Sequence, residues 1–405
     1  MTNNNLFTDN NIDHKYLNKN ILDKFSKEFK KIIKEIQNDI NNPKKTLNVL
    51  NRKFNINLNI KELKKFKIFK TIVIIGMGGS ILGSEAIHNF LESKIRKKVH
   101  FFNSLDEEKI LRLKKKQNLN KALFLVISKS GNTIETLTNL FSLKIIKKNS
   151  KNIIIISEKK NNLLYSLSKK YNLYHIEHNT SIGGRYSVLT EVGIIPAHLM
   201  GVSTNKLRLY IQNFLTGREK KFLKNSVIKL SSLLNSKKIN NLIFLNYSPK
   251  LEKFLFWCQQ LIAESLGKKG KGFLPMISNV PKDHHSLLQL YLDGPRDKLF
   301  HIFSLEEKSK NKLKIKKITN ENNPLNNKTF DNIKMAQKNA LIKTFKKNKI
   351  PFREFKIKSV QEQVLGKLFS YFILETVIIG KLVNINPFDQ PAVEEVKRYT
   401  KKLLN

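Results

Sequence analysis

Residues 122–136 read ALFLVISKSGNTIET, an apolar run that passes directly into a turn rich in hydroxyl side chains and then into a helical pattern. The first six residues predict a buried strand. The turn contains Ser128, Ser130 and Thr133, with Lys129 among them. Because a helix N-terminus carries unpaired N–H donors and the positive end of the helix dipole, such a turn is suited to binding a phosphate. An ordinary helix start capped by Ser or Thr is the alternative, and the segment alone does not separate the two.

Around this segment, short β-branched runs alternate with helical ones, which indicates parallel sheets wrapped by helices. The sequence therefore predicts an α/β protein with two such units. Strands are predicted at 71–75, 98–102, 122–127, 152–156 and 173–176 in the first unit, and at 241–246, 298–304 and 351–357 in the second. Helices are predicted within 14–66 and at 250–266, 328–347, 359–382 and 391–404. The predicted segments are 1–66, N-terminal helices; 67–204, first unit; 205–358, second unit; and 359–405, C-terminal helices.

The formal net charge of +43 on 405 residues is unusual, and dense Lys and Arg can indicate nucleic-acid binding. Arg accounts for only nine of the 75 basic residues, and the others are Lys spread along the whole chain. Because Arg makes most contacts to base edges, this composition argues against a specific nucleic-acid role. A basic surface still attracts a small anionic substrate.

Cys258 is the only cysteine and lies in an apolar helical pattern, so no disulfide within the chain is expected and a reducing cytoplasm is favoured. Residues 1–11 are polar and lack the apolar core of a signal peptide. The longest apolar stretch, 369–383, is interrupted by Glu375 and Lys381 and is short for a membrane span. We therefore expect a cytoplasmic protein without a membrane segment.

A Gly-rich turn, Gly76-Met77-Gly78-Gly79-Ser80, follows the first predicted strand. A dinucleotide fingerprint needs a third Gly where Ile81 stands and an acidic residue about 20 positions further on, and this pattern is not met. The turn is instead suited to close approach of the backbone to a sugar or phosphate oxygen. A simple tight turn is the alternative.

Two further segments carry groups suited to proton transfer and charge stabilisation. Arg185 follows two glycines in a loop after a predicted strand, where a guanidinium suits an oxyanion or a phosphate and a surface ion pair is the alternative. Gln260 and Glu264 share one face of the helix predicted at 250–266. A carboxylate among apolar neighbours can act as a base, although most helical Glu residues are merely solvated.

The pair His284-His285 stands in a helix predicted to begin at Asp283. An imidazole there can exchange protons near neutral pH, whereas a capping or solvated His is the alternative. Adjacent side chains on a helix point apart, so only one of the pair is expected to face a given pocket. A metal site needs further ligands at matched spacing, and none are found. Lys397, in the last predicted helix, is a candidate proton donor or phosphate contact that spacing alone does not support.

Taken together and in this order, these segments resemble the phosphoglucose isomerase family over about residues 74–397. Each block is weak alone, whereas the ordered set is specific. The resemblance implies two tandem sugar-isomerase domains, each a parallel-sheet sandwich of the flavodoxin-like, three-layer αβα kind, with helical N- and C-terminal segments. It also implies interconversion of D-glucose 6-phosphate and D-fructose 6-phosphate through ring opening and a cis-enediol, without a metal or other cofactor.

The resemblance also implies a role for each candidate residue. Glu264 is the base, Arg185 stabilises the enediolate, and His285 opens the sugar ring with help from Lys397. The phosphate is bound by Ser128, Ser130 and Thr133 with Lys129 beside them, and the sugar by Gly79, Ser80, Gln260 and Gln390. In that family the ring-opening His comes from the neighbouring subunit, so a homodimer is implied.

Two positions depart from the family pattern: Asn132 stands where Thr is common, and Ala392 where Gly is usual. Asn132 keeps a polar group, whereas Ala392 requires a negative φ or a small shift near Gln390. Two alternatives stay open. One is a broader isomerase that also accepts mannose 6-phosphate, and the other is a non-enzymatic sugar-phosphate sensor with a DNA-binding helix-turn-helix, of which the N-terminal sequence carries little sign.

Overall fold

The computed structural model describes residues 6–56, 58–307, 313–316 and 323–404. The parts of the predicted segments that fall on 1–5, 57, 308–312, 317–322 and 405 lie outside the described residues. The strands are β1 (Leu6–Asn11), β2 (Thr71–Gly76), β3 (Lys98–Phe102), β4 (Ala122–Ile127), β5 (Ile153–Ser157), β6 (Tyr174–Glu177), β7 (Asn241–Asn246), β8 (Leu274–Asn279), β9 (Lys298–Leu305) and β10 (Phe352–Ile357). The α-helices are α1 (Lys19–Asn41), α2 (Leu82–Leu91), α3 (Glu107–Lys116), α4 (Ile134–Leu143), α5 (Leu163–Lys170), α6 (Glu191–Met200), α7 (Thr204–Arg208), α8 (Gly217–Ser236), α9 (Glu252–Leu266), α10 (Leu288–Asp293), α11 (Phe330–Lys347), α12 (Glu362–Leu382) and α13 (Val393–Leu404).

The first sheet has five parallel strands in the order β3-β2-β4-β5-β6. Its central strand β4 is buried along its whole length. Leu123 and Leu125 face one hydrophobic core, whereas Phe124 and Val126 face another. Burial on both faces explains why this strand is a continuous apolar run instead of an alternating one. The order, with the chain moving from β2 first to one side and then to the other, is that of flavodoxin-like folds.

The second sheet repeats this order, as β8-β7-β9-β10, with β1 added antiparallel to β10 at the far edge. The predicted α/β class with two tandem parallel-sheet units is therefore confirmed. The boundaries assigned to the four segments remain predictions.

Two strands and two helical regions differ from the sequence-based expectations. β1 was not predicted because Asp and Asn make up half of it, and β8 because it contains Pro275, which is tolerated at this sheet edge. Of residues 14–66, only α1 is α-helical; it ends before Pro43, and the 3-10 turns Thr46–Leu50 and Ile60–Phe66 follow. The helix predicted at Asp283 is a 3-10 turn, Lys282–His285, and α10 begins only at Leu288.

The two units pack on each other through α2 and α9, and α12 lies in the core against α1, α7, α8 and α9. Over its 21 residues α12 is longer than the predicted apolar stretch, and it is long and apolar enough to cross a membrane. However, 94% of its most apolar window is buried inside the protein, which is the environment of a core helix.

Candidate active site

The loops after β2 and β4 both lie at the carboxyl edge of the first sheet. From β2 the chain crosses to β3 on one side, and the next strand, β4, lies on the other side. Ligands of open α/β sheets bind where the strand order reverses in this way. The Gly-rich turn at 76–80 and the hydroxyl-rich turn at 128–133 follow these two neighbouring strands and therefore lie at this point of the sheet.

The Gly-rich turn lies directly against two other parts of the chain. A Cβ atom on Gly79 would lie 2.2 Å from the carbonyl carbon of Gly184, and a Cβ on Gly78 would lie 2.8 Å from Nε2 of Gln260. Gly78 also has φ of +51°, a conformation that side chains rarely adopt. Ser80 is buried, and its N–H donates to the carbonyl of Met77 within the turn. Glycine is thus required here so that three chain segments can converge.

The guanidinium of Arg185 uses all five of its N–H donors. Nε donates to Ser265 Oγ at 2.8 Å, and Nη2 donates to the carbonyls of Pro387 at 2.7 Å and Asp389 at 3.0 Å. Nη1 donates to Gln390 Oε1 and to Glu264 Oε2, the latter at 3.2 Å. With 2% of its side chain exposed, Arg185 is a buried cation of fixed orientation.

Glu264 is held on its other oxygen by the helix neighbour that the sequence indicates. Gln260 Nε2 donates to Glu264 Oε1 at 2.9 Å, while Gln260 Oε1 is buried without a hydrogen-bond partner among the described residues. The apolar surroundings expected for Glu264 are not found, because both of its carboxylate oxygens have polar partners, whereas Phe254 and Trp257 are buried in the core. The carboxylate faces Arg185 and Gln260 instead, with 34% of the side chain exposed.

The turn after β4 leaves the N-terminus of α4 without a side-chain cap. Thr133 occupies the N-cap position but makes no capping hydrogen bond. Its hydroxyl lies 2.9 Å from Ser128 Oγ, and Ser130 Oγ accepts the N–H of Asn132 at 3.4 Å. The first N–H groups of α4 therefore lack the side-chain cap that the ordinary alternative requires.

The two residues that depart from the family pattern are accommodated locally. Asn132 Oδ1 accepts the N–H of Leu163 at 2.9 Å, so this side chain joins the turn to the start of α5. Ala392 has a negative φ, and Gln390 still reaches Arg185.

Comparisons with known proteins agree with this geometry. A sequence model described as phosphoglucose isomerase matches residues 34–273. A glucose-6-phosphate isomerase of Methanocaldococcus jannaschii is 33% identical over 365 residues, which cover 85% of this chain and 87% of that protein. One of Mycoplasmopsis pulmonis is 30% identical over 83% of each chain.

The chain belongs to the phosphoglucose isomerase family.

Solved structures agree on the fold. A glucose-6-phosphate isomerase of Chlamydia trachomatis superposes with a TM-score of 0.75 at 16% identity, over 99% of this chain and 88% of that one. A hypothetical protein of Thermus thermophilus reaches 0.81 at 23% identity, over 98% and 100%.

Two residues that the phosphoglucose isomerase resemblance assigns to the site do not contact it within the single chain. His285 is exposed in the turn after β8, whereas its neighbour His284 is turned inward, with Nε2 3.2 Å from the hydroxyl of Tyr247. Lys397 is 62% exposed on α13, and its Nζ donates to Glu394 Oε1 at 2.7 Å. The fold of the single chain brings together five other predicted site residues without His285 or Lys397: Gly79, Arg185, Gln260, Glu264 and Gln390.

Several groups that support this phosphoglucose isomerase site were missed by sequence reasoning. Ser265 Oγ accepts a hydrogen bond from Arg185 Nε. The same oxygen lies 2.8 Å from the hydroxyl of Tyr186, with which it forms a second hydrogen bond. Lys268 Nζ donates to Asp389 Oδ1 at 2.7 Å and so ties the 386–389 turn to the end of α9. The adjacency of Ser265 to Glu264 was a usable signal, whereas no sequence feature marks the backbone carbonyls that Arg185 uses.

Proposed function

We propose that this chain interconverts D-glucose 6-phosphate and D-fructose 6-phosphate, an aldose–ketose isomerisation of glycolysis and gluconeogenesis. The observation that carries the proposal is the carboxylate of Glu264, held between Gln260 and Arg185 beside the Gly-rich turn. The relatives in the phosphoglucose isomerase family support the choice of substrate. A cytoplasmic location follows from such a role.

Glu264 is the proposed base of the proton transfer. Isomerisation moves a proton between C2 and C1 while the carbonyl moves the opposite way. Because a C–H bond beside a carbonyl is only weakly acidic, the base must lie in line and the oxygen that gains charge must be stabilised. Glu264 is partly exposed and oriented on both oxygens, so it can remove the proton on one face and return it through a cis-enediol.

Arg185 and the amides complete the proposed reaction centre. The fixed guanidinium supplies positive charge where the enediolate oxygen forms, without needing to reorganise. Gln260 Oε1, buried and without a protein partner among the described residues, can accept a substrate hydroxyl. Gln390 holds a substrate oxygen from the opposite side.

The turn at 128–133 is the proposed phosphate site. The N-terminus of α4 has no side-chain cap, so its N–H groups and the hydroxyls of Ser128, Ser130 and Thr133 can bind the phosphate oxygens. Gly79 and Ser80, in the turn after the neighbouring strand β2, are assigned to the sugar. The phosphate is remote from C1 and C2, so its binding energy fixes the pose of the reacting end.

Ring opening is assigned to His285 of a second subunit, with Lys397 assisting. Leu274 and Met276 on the edge strand β8 are 60% and 44% exposed, and Leu290 on α10 is 46% exposed. His285 lies between these two elements. Large apolar side chains exposed together favour a protein interface, which supports a homodimer that uses this surface.

The apolar side chains of α13 support the same assignment. Val396 is 67% exposed and Leu403 is 87% exposed, and none of the helix residues is buried in the single chain. A partner subunit that covers this helix would also change the surroundings of Lys397. The single chain is thus an incomplete form of the proposed site.

The test is conversion of glucose 6-phosphate by Glu264→Gln, assayed without added metal or nucleotide. Turnover should fall by about a thousandfold or more because the base is lost, while binding of substrate is kept. Glu252→Gln, at the start of the same helix, is the matched control and should keep its turnover. Retained turnover in E264Q would refute the role of Glu264.

A parallel assay of the wild-type protein with mannose 6-phosphate distinguishes an isomerase specific for glucose 6-phosphate from one of broader substrate range.

A further inference from the structure

One segment of the chain connects the outer edge of the first sheet to the reaction centre. Residues 178–185, which we term the crossing segment, leave β6 at the sheet edge and return to the middle, where Gly184 packs on Gly79. Arg185 is the last residue of the crossing segment. Its guanidinium is anchored to α9 and to residues 387–390, whereas its backbone is connected to the first sheet through this segment.

Lys129 lies in the turn at 128–133, which we term the phosphate turn, and forms hydrogen bonds with the middle of the crossing segment. Its Nζ donates to the carbonyl of Thr180 at 2.9 Å and to that of Ile182 at 3.0 Å. Among the described residues, these carbonyls have no other hydrogen-bond donor. Glu158 Oε1 lies 3.8 Å from the same nitrogen. Because an ammonium has three N–H donors, two serve the crossing segment and the third faces a carboxylate.

The surroundings of Lys129 also favour a structural contact over a ligand contact. Its side chain is 31% exposed, and burial lowers the pKa of the amine. The start of the crossing segment is fixed separately, because Asn179 N–H donates to buried Glu191 Oε1 at 2.8 Å. Lys129 is thus the link between the phosphate turn and the part of the segment closest to Arg185.

We propose that Lys129 is a positioning residue, which sets the spacing between the phosphate turn and Arg185 and does not itself bind the phosphate. This inference rests on the proposed function and replaces the substrate contact expected from the resemblance. One substrate must reach from the phosphate turn to Glu264 and Arg185 at once. Without the link, the crossing segment retains two unpaired carbonyls, and the distance between the phosphate turn and Arg185 is less closely fixed on the side of the first sheet.

The experiment compares Lys129→Met and Lys129→Arg with Lys160→Met as the matched control. Lys160 Nζ lies 3.1 Å from Glu158 Oε2 and is 65% exposed, so K160M removes the same charge near the same carboxylate without touching the crossing segment. The measurements are kcat, the inhibition constant of inorganic phosphate, and hydrogen exchange of the amides of 178–187.

In K129M we expect kcat to fall by up to about a hundredfold and exchange across 178–187 to become faster than in K160M. The inhibition constant of phosphate should stay within about twofold of that in K160M, since only a screened charge is lost. K129R should recover most of kcat because a guanidinium can still donate to both carbonyls.

A rise of about tenfold or more in the inhibition constant, specific to K129M, would overturn the inference, because a lost charge-assisted contact to phosphate has that size. Unchanged kcat and exchange in K129M would overturn it as well. An inactive wild-type protein would instead count against the proposed function, and hydrogen exchange across 178–187 would still decide whether Lys129 holds the crossing segment.

Discussion

Gly79 is the residue at which the Gly-rich turn and the crossing segment come into contact. An added Cβ would lie 2.2 Å from Gly184 and 2.5 Å from the backbone nitrogen of Arg185, distances at which one of the two backbones must move. A movement of this kind displaces Arg185 relative to Glu264. Under the proposed function, the glycine would therefore act on catalysis through the distance between the two loops.

We predict that Gly79→Ala lowers kcat/KM by at least about tenfold, since misplacement of a reacting group by an ångström can cost more than that. Gly183→Ala is the control. Its φ is −65°, and its Cβ would contact only the ring of Tyr186 at 3.6 Å, an ordinary van der Waals distance. Steady-state kinetics on both variants check the prediction, and equal losses would argue against a specific role for Gly79.

At the scale of elements, the proposed function assigns phosphate binding to the start of α4 and the proton transfer to α9. The N-terminal N–H groups of α4 lie in the phosphate turn, whereas Glu264 and Gln260 come from α9 of the other unit. Changes at the two elements should therefore affect different kinetic constants.

Thr133→Val tests this separation because it removes the hydroxyl that lies 2.9 Å from Ser128 Oγ and keeps the side-chain shape. We expect KM for glucose 6-phosphate and the inhibition constant of inorganic phosphate to rise about tenfold, as for loss of a hydrogen bond to a charged group. The control is Thr138→Val, exposed on the same helix, which should leave both constants unchanged. A large fall in kcat with unchanged KM in T133V would contradict the assignment.

The sequence predicted those strands and helices whose own residues form a recognisable apolar pattern. β4 is apolar throughout because both faces are covered, and α12 contains the longest apolar stretch of the sequence, interrupted only by isolated charged residues. β1 forms because the edge of β10 offers backbone hydrogen-bond partners, so the six residues of β1 do not themselves predict a strand. In the site, the side chains of Arg185 and Glu264 could be proposed from their motifs. The carbonyls of residues 387 and 389, and the partners of Lys129, depend on tertiary packing that no local pattern encodes.

At the scale of the whole molecule, the prediction concerns the assignment of His285 to a partner subunit. Subunits with His285→Ala and subunits with Glu264→Gln should each have low activity alone. In a mixed dimer, the site with an intact Glu264 receives an intact His285 from the other chain. Random mixing should therefore restore about a quarter of wild-type activity, because half of the dimers are mixed and each has one complete site.

The mixed dimers are made by unfolding and refolding the two variants together and are assayed for fructose 6-phosphate. Each variant refolded alone is the control. No gain on mixing would indicate that His285 serves its own chain or has no role in ring opening.

The antiparallel pairing of β1 with β10 also constrains when the protein can finish folding. Residues 6–11 leave the ribosome long before their partners, residues 352–357, have been synthesised. At ordinary rates of translation this is a wait of tens of seconds. The first sheet, complete by residue 177, can form during that time. The edge of the second sheet cannot close until residues 352–357 have been made, so this strand pair is expected to form after the first sheet.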